Sequence, residues 1–269
     1  MPLRQDPVDS PDLPGDALVL ITGAAGGLGR ELTMRYLADG FRVHACDVDR
    51  NALDRVAGEH DSRRLRITCV DVGDAAALAR LFRDLSAWQS DVSVLINNIG
   101  ISGARGDIES LSRDDWSRSL SVNLLGAVEC ARHVIPGMKR QRCGAIVSIS
   151  TSSVVTRPVS RTPYIASKAA LEAFTLAAAR ELGQYGIRSN VVRPGLMDNP
   201  RMHRVLGDVA RSEGISPDEA LARELAHVSM RTMVSMNDVA SMVMYLTSGA
   251  ARHVTGQVFA VDAGHEWEF

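Results

Sequence analysis

Short apolar runs alternate with longer amphipathic stretches along the whole chain. The apolar runs are rich in Val and Ile, and they cover 17–22, 41–46, 65–70, 92–96, 145–150, 187–192 and 257–261. Stretches with helical periodicity lie near 27–39, 74–87, 112–138, 162–184 and 236–247. Runs that are apolar on both faces are typical of buried parallel strands, which are joined by helical crossovers. The pattern therefore predicts an α/β protein with a seven-stranded parallel sheet in a single doubly wound domain.

Residues 196–235 interrupt this alternation. They follow the sixth predicted strand, contain Pro200 and Pro217, and indicate a loop with short helices. Long insertions often cover active sites, so we expect a substrate lid here within the same domain. The first 14 residues are acidic and contain four prolines, which predicts a disordered lead, 1–14, before one domain over 15–269.

Composition and charge exclude several classes of partner. The 30 Lys and Arg residues nearly balance 32 Asp and Glu residues, so we expect neither nucleic acid nor an anionic membrane as partner. No apolar run approaches the roughly 18 residues of a membrane span. The four cysteines lack metal-ligand spacing, so we expect no metal site and free thiols in a cytoplasmic protein.

A glycine-rich sequence, TGAAGGLG (22–29), joins the first predicted strand to the first predicted helix. Glycines permit a sharp turn there and let a pyrophosphate approach the free N–H groups of the helix. The helix dipole favours the same negative charge. The motif predicts a dinucleotide site in a Rossmann fold, with a glycine-rich turn that binds nothing as the alternative.

Asp47 ends the second predicted strand, 18 residues after Gly29. An acidic residue at this place accepts hydrogen bonds from the adenosine ribose and repels a 2′-phosphate. Arg50 lies three residues further on and could receive that phosphate instead. We expect NAD rather than NADP; the alternative is that Asp47 only caps the next helix.

Tyr164 and Lys168 lie four residues apart in a helical pattern and therefore share one helix face. An ammonium beside a phenol stabilises the phenolate. Tyr164 could then exchange a proton with an alcohol or a carbonyl. Alone, this spacing occurs commonly by chance and would also suit a solvated helix face.

Together, ordered motifs give the chain a clear resemblance to the short-chain dehydrogenase/reductase family, from about residue 16 to residue 264. The motifs are TGAAGGLG (22–29), Asp71-Val72, NNIG (97–100), Asn123 in SVNLLG, YIASK (164–168) and Arg193-Pro194-Gly195.

The resemblance implies roles for individual residues. Lys168 would bind the nicotinamide ribose, Asp71-Val72 would hold the adenine, and Asn123 would hold a water that links Lys168 to solvent. The implied catalytic residues are Asn123, Thr151, Tyr164 and Lys168. The implied cofactor-binding residues are Gly23, Gly27, Leu28, Gly29, Asp47, Asp71, Val72, Asn98, Gly100, Tyr164, Lys168, Pro194, Gly195, Met197 and Asn199.

Two positions depart from the family pattern. Thr151 stands where a catalytic serine is usual, 13 residues before the tyrosine. A threonine hydroxyl can donate to a substrate oxygen, although a bulge could bring Ser152, or else Ser150 or Ser153, to that place. Asn199 replaces the usual threonine after the proline–glycine turn, and its amide can also bond the nicotinamide carboxamide.

Arginines are frequent in the segments expected to surround the pocket. Candidates for substrate contact are Ser152, Ser153, Arg157, Arg161 and Arg201, with Arg204 and His203 close by. The guanidinium fork suits carboxylate, sulfonate and phosphate groups. We hypothesise a polar or anionic substrate, such as a hydroxy acid, a sugar or a sulfonated alcohol; solvated surface arginines are the alternative.

These expectations combine into an NAD-dependent dehydrogenase/reductase that interconverts a secondary alcohol and its ketone, with Tyr164 as acid and base. One rival is a non-catalytic NAD-sensing protein on the same fold. A sugar-nucleotide epimerase or dehydratase is a weaker rival, because the chain lacks the glycine spacing and the large C-terminal domain of that class. Long helices at 112–138 and 162–184 favour a homotetramer or a homodimer.

Overall fold

The structure is a computed structural model that describes residues 15–60, 63–88 and 90–265. The predicted disordered lead, 1–14, lies outside the described residues. Seven strands form one sheet: β1 (Leu18–Thr22), β2 (Arg42–Asp47), β3 (Leu65–Cys69), β4 (Val92–Asn97), β5 (Gly144–Ile149), β6 (Ile187–Pro194) and β7 (Val258–Val261).

The α-helices alternate with these strands. The five predicted helical stretches lie in five of the six connections, and the connection between β2 and β3 contains a helix that the hydrophobic pattern does not predict. The α-helices are α1 (Gly27–Ala38), α2 (Arg50–Gly58), α3 (Ala75–Ser86), α4 (Arg113–Leu120), α5 (Gly126–Gln141), α6 (Ser153–Thr156), α7 (Thr162–Leu182), α8 (Pro200–Glu213), α9 (Pro217–Ala226) and α10 (Met236–Thr247). A π-helical turn over Ser121–Leu125 links α4 to α5, so the predicted helix 112–138 is continuous but wider in its middle. None of the described helices combines the length and the apolar character that a bilayer crossing requires.

The sheet has the order β3-β2-β1-β4-β5-β6-β7, and every pair of neighbours is parallel. The chain therefore winds outward from β1 in one direction and from β4 in the other. Ligands of doubly wound sheets bind at the carboxyl ends of the strands where this reversal occurs. The predicted seven-stranded Rossmann architecture is confirmed.

Two apolar layers cover the sheet. One contains Leu32, Val56 and Val243 from α1, α2 and α10, and the other contains side chains of α3, α5 and α7. The central strands are buried on both faces, whereas β3 and β7 are partly exposed. The expectation that every strand is buried on both faces is therefore wrong for these two, because each lies at an edge of the sheet.

Residues 196–235 contain more regular structure than the sequence predicts. Helices α8 and α9 fill most of this segment, and Leu206, Ala210 and Ala220 form a small apolar core between them. The segment returns to the sheet through a bridge between Met197 and Val234. It is thus a helical pair anchored at both ends beside β6.

Candidate active site

The turn between β1 and α1 is shaped by glycines. Gly23 and Gly27 have φ angles of 64° and 51°, in the left-handed region that side chains disfavour. A Cβ on Gly29 would lie 1.9 Å from the carbonyl oxygen of Gly23. Helix α1 consequently approaches the end of β1 more closely than any residue with a side chain would allow.

The first turn of α1 leaves its backbone donors available to a ligand. Gly26 precedes the helix without a side-chain cap, and no acidic residue occupies the first turn. The N–H groups of Gly27, Leu28 and Gly29 have no intrahelical acceptor. Such donors, together with the helix dipole, suit a phosphate group. The turn therefore fits the pyrophosphate of a dinucleotide.

Asn98 braces this turn from the end of β4. Its side-chain amide donates to the carbonyl oxygens of Thr22 (3.1 Å) and Gly23 (2.9 Å). The Thr22 hydroxyl in turn accepts from the backbone N–H groups of Asn98 (3.1 Å) and Ile99 (3.2 Å). The side chain of Asn98 thus holds the glycine turn against β4, and its expected place along the cofactor stays a prediction.

Asp47 lies above the glycine turn. Its carboxylate accepts from the backbone N–H of Ala25 (3.0 Å) and from that of Asp49 (3.1 Å). Asp49 itself caps α2. The alternative, that Asp47 serves only as the cap of this helix, therefore does not apply. Arg50 donates to Asp54 (3.0 Å). The carboxylate is thus presented beside the turn, and the nearest candidate for a 2′-phosphate contact is paired elsewhere.

Asp71 and Val72 follow β3 on the other side of β2. The Asp71 carboxylate accepts from the backbone N–H of Gly73 (2.8 Å) and from the Arg118 guanidinium (2.7 Å). Val72 is buried against Gly126, where an added Cβ would lie 2.7 Å from the Val72 Cγ2 atom. Both residues are held rigidly at the carboxyl edge of the sheet.

Lys168 is buried with its ammonium between β4 and β5. The Nζ atom donates to the carbonyl oxygens of Ile149 (2.8 Å) and Ile99 (3.3 Å). An added Cβ on Gly100 would lie 2.9 Å from the same nitrogen, so the glycine makes room for the lysine. Burial, and to a lesser extent the charge of Arg201, lower the pKa of Lys168 to about 8 against the opposing effect of Glu172.

A buried ion pair lies one helical turn beyond Lys168. Glu172 accepts from the Arg193 guanidinium through both carboxylate oxygens (2.7 and 3.1 Å) and from the Ser150 hydroxyl (2.5 Å). The two charged side chains are only 10% and 18% exposed. This pair fastens α7 to β5 and β6 directly behind the lysine.

Asn123 lies in the π-helical turn and is buried. Its side chain accepts from the backbone N–H of Ile101 (2.8 Å) and donates to the Ile101 carbonyl (3.0 Å) and the Ser167 hydroxyl (2.9 Å). Both amide hydrogens are therefore used to tie the helix α4–α5 to the loop after β4 and to α7. Any water relay to Lys168 would have to run through other atoms of this residue.

Tyr164 occupies the first turn of α7 and is partly buried. The guanidinium of Arg161 lies over its ring, 4.7 Å from the ring centroid. Arg201, in the first turn of α8, donates to the Ser102 hydroxyl. Arg157 is exposed at the end of α6. The phenol therefore lies against the Arg161 guanidinium at the start of α7.

The comparisons with known proteins identify the family. Residues 23–266 match the family model adh_short_C2, described as enoyl-(acyl carrier protein) reductase. The chain belongs to the short-chain dehydrogenase/reductase family. Membership makes the protein an oxidoreductase of alcohol or ketone substrates.

Relatives cover nearly the whole chain. The (3R)-3-hydroxyacyl-CoA dehydrogenase of Canis lupus familiaris is 31% identical in an alignment that covers 92% of this chain and 95% of that protein. The crystal structure of NAD+-bound xylitol dehydrogenase is 25% identical with a TM-score of 0.85, covering 92% of this chain and 98% of that chain. L-sorbose reductase from Gluconobacter frateurii, complexed with NADPH and L-sorbose, shares the fold at 22% identity with a TM-score of 0.87, covering 95% of this chain and 98% of that chain.

The first departure from the family pattern concerns the hydroxyl groups after β5. Ser150 is taken by the buried ion pair, and Ser152 is 5% exposed with its hydroxyl 3.2 Å from His265 Nδ1. Thr151 is partly exposed, and its hydroxyl bonds only within the turn, to Ser153 (3.2 Å). Of the two leading candidates, Thr151 is thus the one that retains an accessible hydroxyl.

The second departure concerns the segment after β6. Pro194 ends the strand, and an added Cβ on Gly195 would lie 2.6 Å from the Asp262 Cα atom. Asn199 caps α8 by accepting from the Met202 N–H (2.8 Å). The side-chain oxygen of Asn199 therefore already accepts a hydrogen bond from the helix. Only the side-chain N–H groups remain available to a nicotinamide carboxamide.

Sequence reasoning missed four residues near the site. Glu172 could have been found, because it lies four residues after Lys168 on the same helix face. Arg193 was read only as part of the proline–glycine motif, and its role as the partner of Glu172 depends on strand pairing. Arg105 and His265 carried no local signal, since each reaches the site through a loop.

Proposed function

We propose that this protein is an NAD-dependent dehydrogenase that reversibly oxidises a secondary alcohol to a ketone, with Tyr164 as the acid and base. The observation that carries the proposal is the buried ammonium of Lys168, held by two backbone carbonyls one helical turn from Tyr164. Burying a lysine ammonium costs free energy. A charge that is kept at this cost, on the same helix as a phenol, supports a role in catalysis.

The residues divide the proton chemistry among them. The Lys168 charge stabilises the Tyr164 phenolate, which accepts the alcohol proton. The Thr151 hydroxyl donates to the same substrate oxygen and fixes its position. Through its hydrogen bonds, Asn123 holds the loop after β4 in place against α7. NAD, when bound, supplies the acceptor for the hydride.

Asp47 supports NAD as the cofactor. Its carboxylate lies beside the glycine turn, where it would repel the 2′-phosphate of NADP, and Arg50 is occupied by Asp54. We expect NAD to be preferred over NADP by roughly tenfold or more in kcat/KM, which corresponds to about 1.4 kcal/mol. Asp47→Ala should reduce the ratio of kcat/KM with NAD to kcat/KM with NADP. An unchanged ratio would contradict the assignment of NAD as the cofactor.

Tyr164→Phe separates the enzyme from a protein that only senses NAD. The assay follows nicotinamide absorbance with NAD and a panel of secondary alcohols, hydroxy acids, sugars and sulfonated alcohols. Removing the phenolic oxygen should lower kcat roughly 100- to 10,000-fold, the usual contribution of general acid–base catalysis. Binding of NAD should persist, and Tyr245→Phe, at an exposed position on α10, serves as the matched control. Turnover that survives Tyr164→Phe would refute the mechanism.

Several further properties belong to the same proposal. Helices α8 and α9 act as the lid over the substrate, within one catalytic domain over 15–269. The protein works in the cytoplasm as a homotetramer or a homodimer. Light scattering measures the assembly directly, and a monomer at micromolar concentration would contradict it.

A further inference from the structure

Three arginines from separate parts of the chain meet around Tyr164. Arg105 lies in the loop after β4, Arg161 immediately before α7, and Arg201 in the first turn of α8. The N–H of Gly106 donates to the carbonyl oxygen of Ser160 (3.3 Å), which brings the loop that carries Arg105 to the residue before Arg161. Arg161 is stacked over the phenol ring, and Arg201 reaches back to Ser102, in the same loop as Arg105. Three elements that are distant in sequence thus bring positively charged side chains close together beside Tyr164.

The positive charges of these arginines oppose one another within the site. Burial lowers the pKa of the Arg161 guanidinium, and the charges of Arg105 and Arg201 lower it further, while Tyr164 opposes them. Arg201 also acts on Lys168 in the same sense. The positive charges therefore lie close enough to act on one another and on the catalytic pair.

In the part of the chain that the structure describes, no acidic side chain forms an ion pair with these three arginines. No Asp or Glu there lies within 4.0 Å of a nitrogen of Arg105, Arg161 or Arg201. The Nε atom of Arg161 is buried and has no acceptor at all. Elsewhere on α8, Arg211 is paired with Asp208. A buried guanidinium donor without an acceptor is costly, and an anion that supplies the acceptor relieves that cost.

We propose that Arg105, Arg161 and Arg201 bind an anionic group of the substrate, a carboxylate or a sulfonate, while its carbinol lies at Tyr164. The proposal rests on the proposed function, because it takes Tyr164 as the reacting residue. Since Arg161 covers the Tyr164 ring, the anionic group must lie only a few bonds from the carbinol. The substrate class is therefore a compact hydroxy acid or its sulfonate counterpart.

Binding of inert anions tests the cluster without any turnover. The probes are butyrate and propane-1-sulfonate, with butan-1-ol as the neutral comparison, titrated into the full-length protein with saturating NAD at low ionic strength. Ligand-observed NMR gives the Kd. We expect at least one anion to bind and butan-1-ol not to bind. Binding of neither anion, or equal binding of butan-1-ol, would overturn the proposal.

Single substitutions locate the binding. Arg161→Gln and Arg201→Gln should each raise the Kd of the anion roughly 10- to 100-fold, the range for a charged hydrogen bond. Arg161→Lys keeps the charge but loses the forked donors of the guanidinium. Its Kd for the anion should therefore lie between those of Arg161→Gln and the parent protein. The matched control is Arg211→Gln, an exposed arginine on the same helix as Arg201. An equal effect of Arg211→Gln would show general electrostatics and overturn the assignment.

Turnover separates failure of this inference from failure of the dehydrogenase proposal. The substrates are 3-hydroxybutyrate and its uncharged amide, compared as kcat/KM with NAD. Oxidation of neutral alcohols without any anion binding would overturn the arginine site and leave the dehydrogenase intact. Anion binding that depends on Arg161, with no oxidation of any alcohol, would leave the arginine site and overturn the dehydrogenase.

Discussion

The buried ammonium of Lys168 predicts a measurable dependence of stability on pH. An unfolded lysine has a pKa of 10.5, and burial lowers that of Lys168 to about 8. Between these two values the unfolded chain binds a proton that the folded chain has released. Below pH 8 both states are protonated, and the folded state carries the full cost of the buried charge.

The size of this cost follows from the same two values. Converted at about 1.4 kcal/mol per pH unit, the difference between 10.5 and about 8 corresponds to about 3 kcal/mol. Lys168 is 2% exposed, so solvent screening reduces this figure little. The cost is fully present below pH 8, falls as the pH rises, and is absent above pH 10.5.

Lys168→Met removes the titrating group while keeping a side chain of similar length. Urea unfolding without NAD, at one protein concentration, gives the free energy of unfolding of both proteins between pH 7 and pH 10.5. We expect the parent protein to gain about 3 kcal/mol relative to the variant over that range. Comparing the two proteins cancels the titration of every other group.

The chain has only one other lysine, Lys139, whose ammonium lies over the Tyr185 ring. Lys139→Met therefore controls for the loss of a lysine charge as such. A parent–variant difference that is constant from pH 7 to pH 10.5 for Lys168→Met would refute the reasoning. It would mean that the ammonium is solvated in the folded protein and costs nothing to hold.

Two glycines and the buried ion pair give the remaining predictions. Gly29→Ala brings a Cβ against the Gly23 carbonyl, so the Kd for NAD, measured by calorimetry, should rise roughly tenfold or more, or about 1.4 kcal/mol; unchanged affinity would contradict this. Gly207→Ala, on α8 with nothing within 4 Å, should raise the free energy of unfolding by about 0.5 to 1 kcal/mol, and a loss of stability would count against it. Glu172→Gln leaves Arg193 without its counter-charge and should lower that free energy by about 3 kcal/mol; a loss below about 1 kcal/mol, typical of exposed pairs, would place the pair in solvent.

The strands were predictable because burial on both faces leaves a strong apolar signal. All seven predicted runs correspond to strands, and their bounds differ by at most two residues, at Pro194, where β6 continues into the proline–glycine turn. Helix α2 was missed because its buried face consists of only Ala52, Leu53 and Val56 in an otherwise charged segment. A nine-residue helix with so short a stripe has too little periodicity to stand out.

The helices of residues 196–235 were underestimated for a different reason. Pro200 and Pro217 suggested breaks in a loop, but each occupies the first turn of a helix. Proline is favoured there because its missing N–H would have had no intrahelical partner. The residues before them, Asn199 and Ser216, cap the two helices, so the sequence contained a start signal that the prolines obscured.

Motifs predict the candidate catalytic positions, whereas the residues that support these positions carry no motif. Tyr164 and Lys168 share a helix face by spacing alone. The grouping of Arg105 with Arg161 and Arg201 depends on how the loop after β4 meets α8, and no local pattern encodes that contact. Residues that act across elements need the fold before their proximity can be known.

The reversal of the chain between β1 and β4 places the proposed determinants of cofactor and substrate on different halves of the sheet. Asp47 belongs to the half built on β1, β2 and β3, while the arginines and residues 196–235 belong to the half built on β4 to β7. The two halves share one apolar layer, in which Leu32 of α1 lies with Val243 of α10. Polar substitutions at the cofactor or the substrate positions can therefore be engineered one set at a time, whereas a change in the shared layer would reach both.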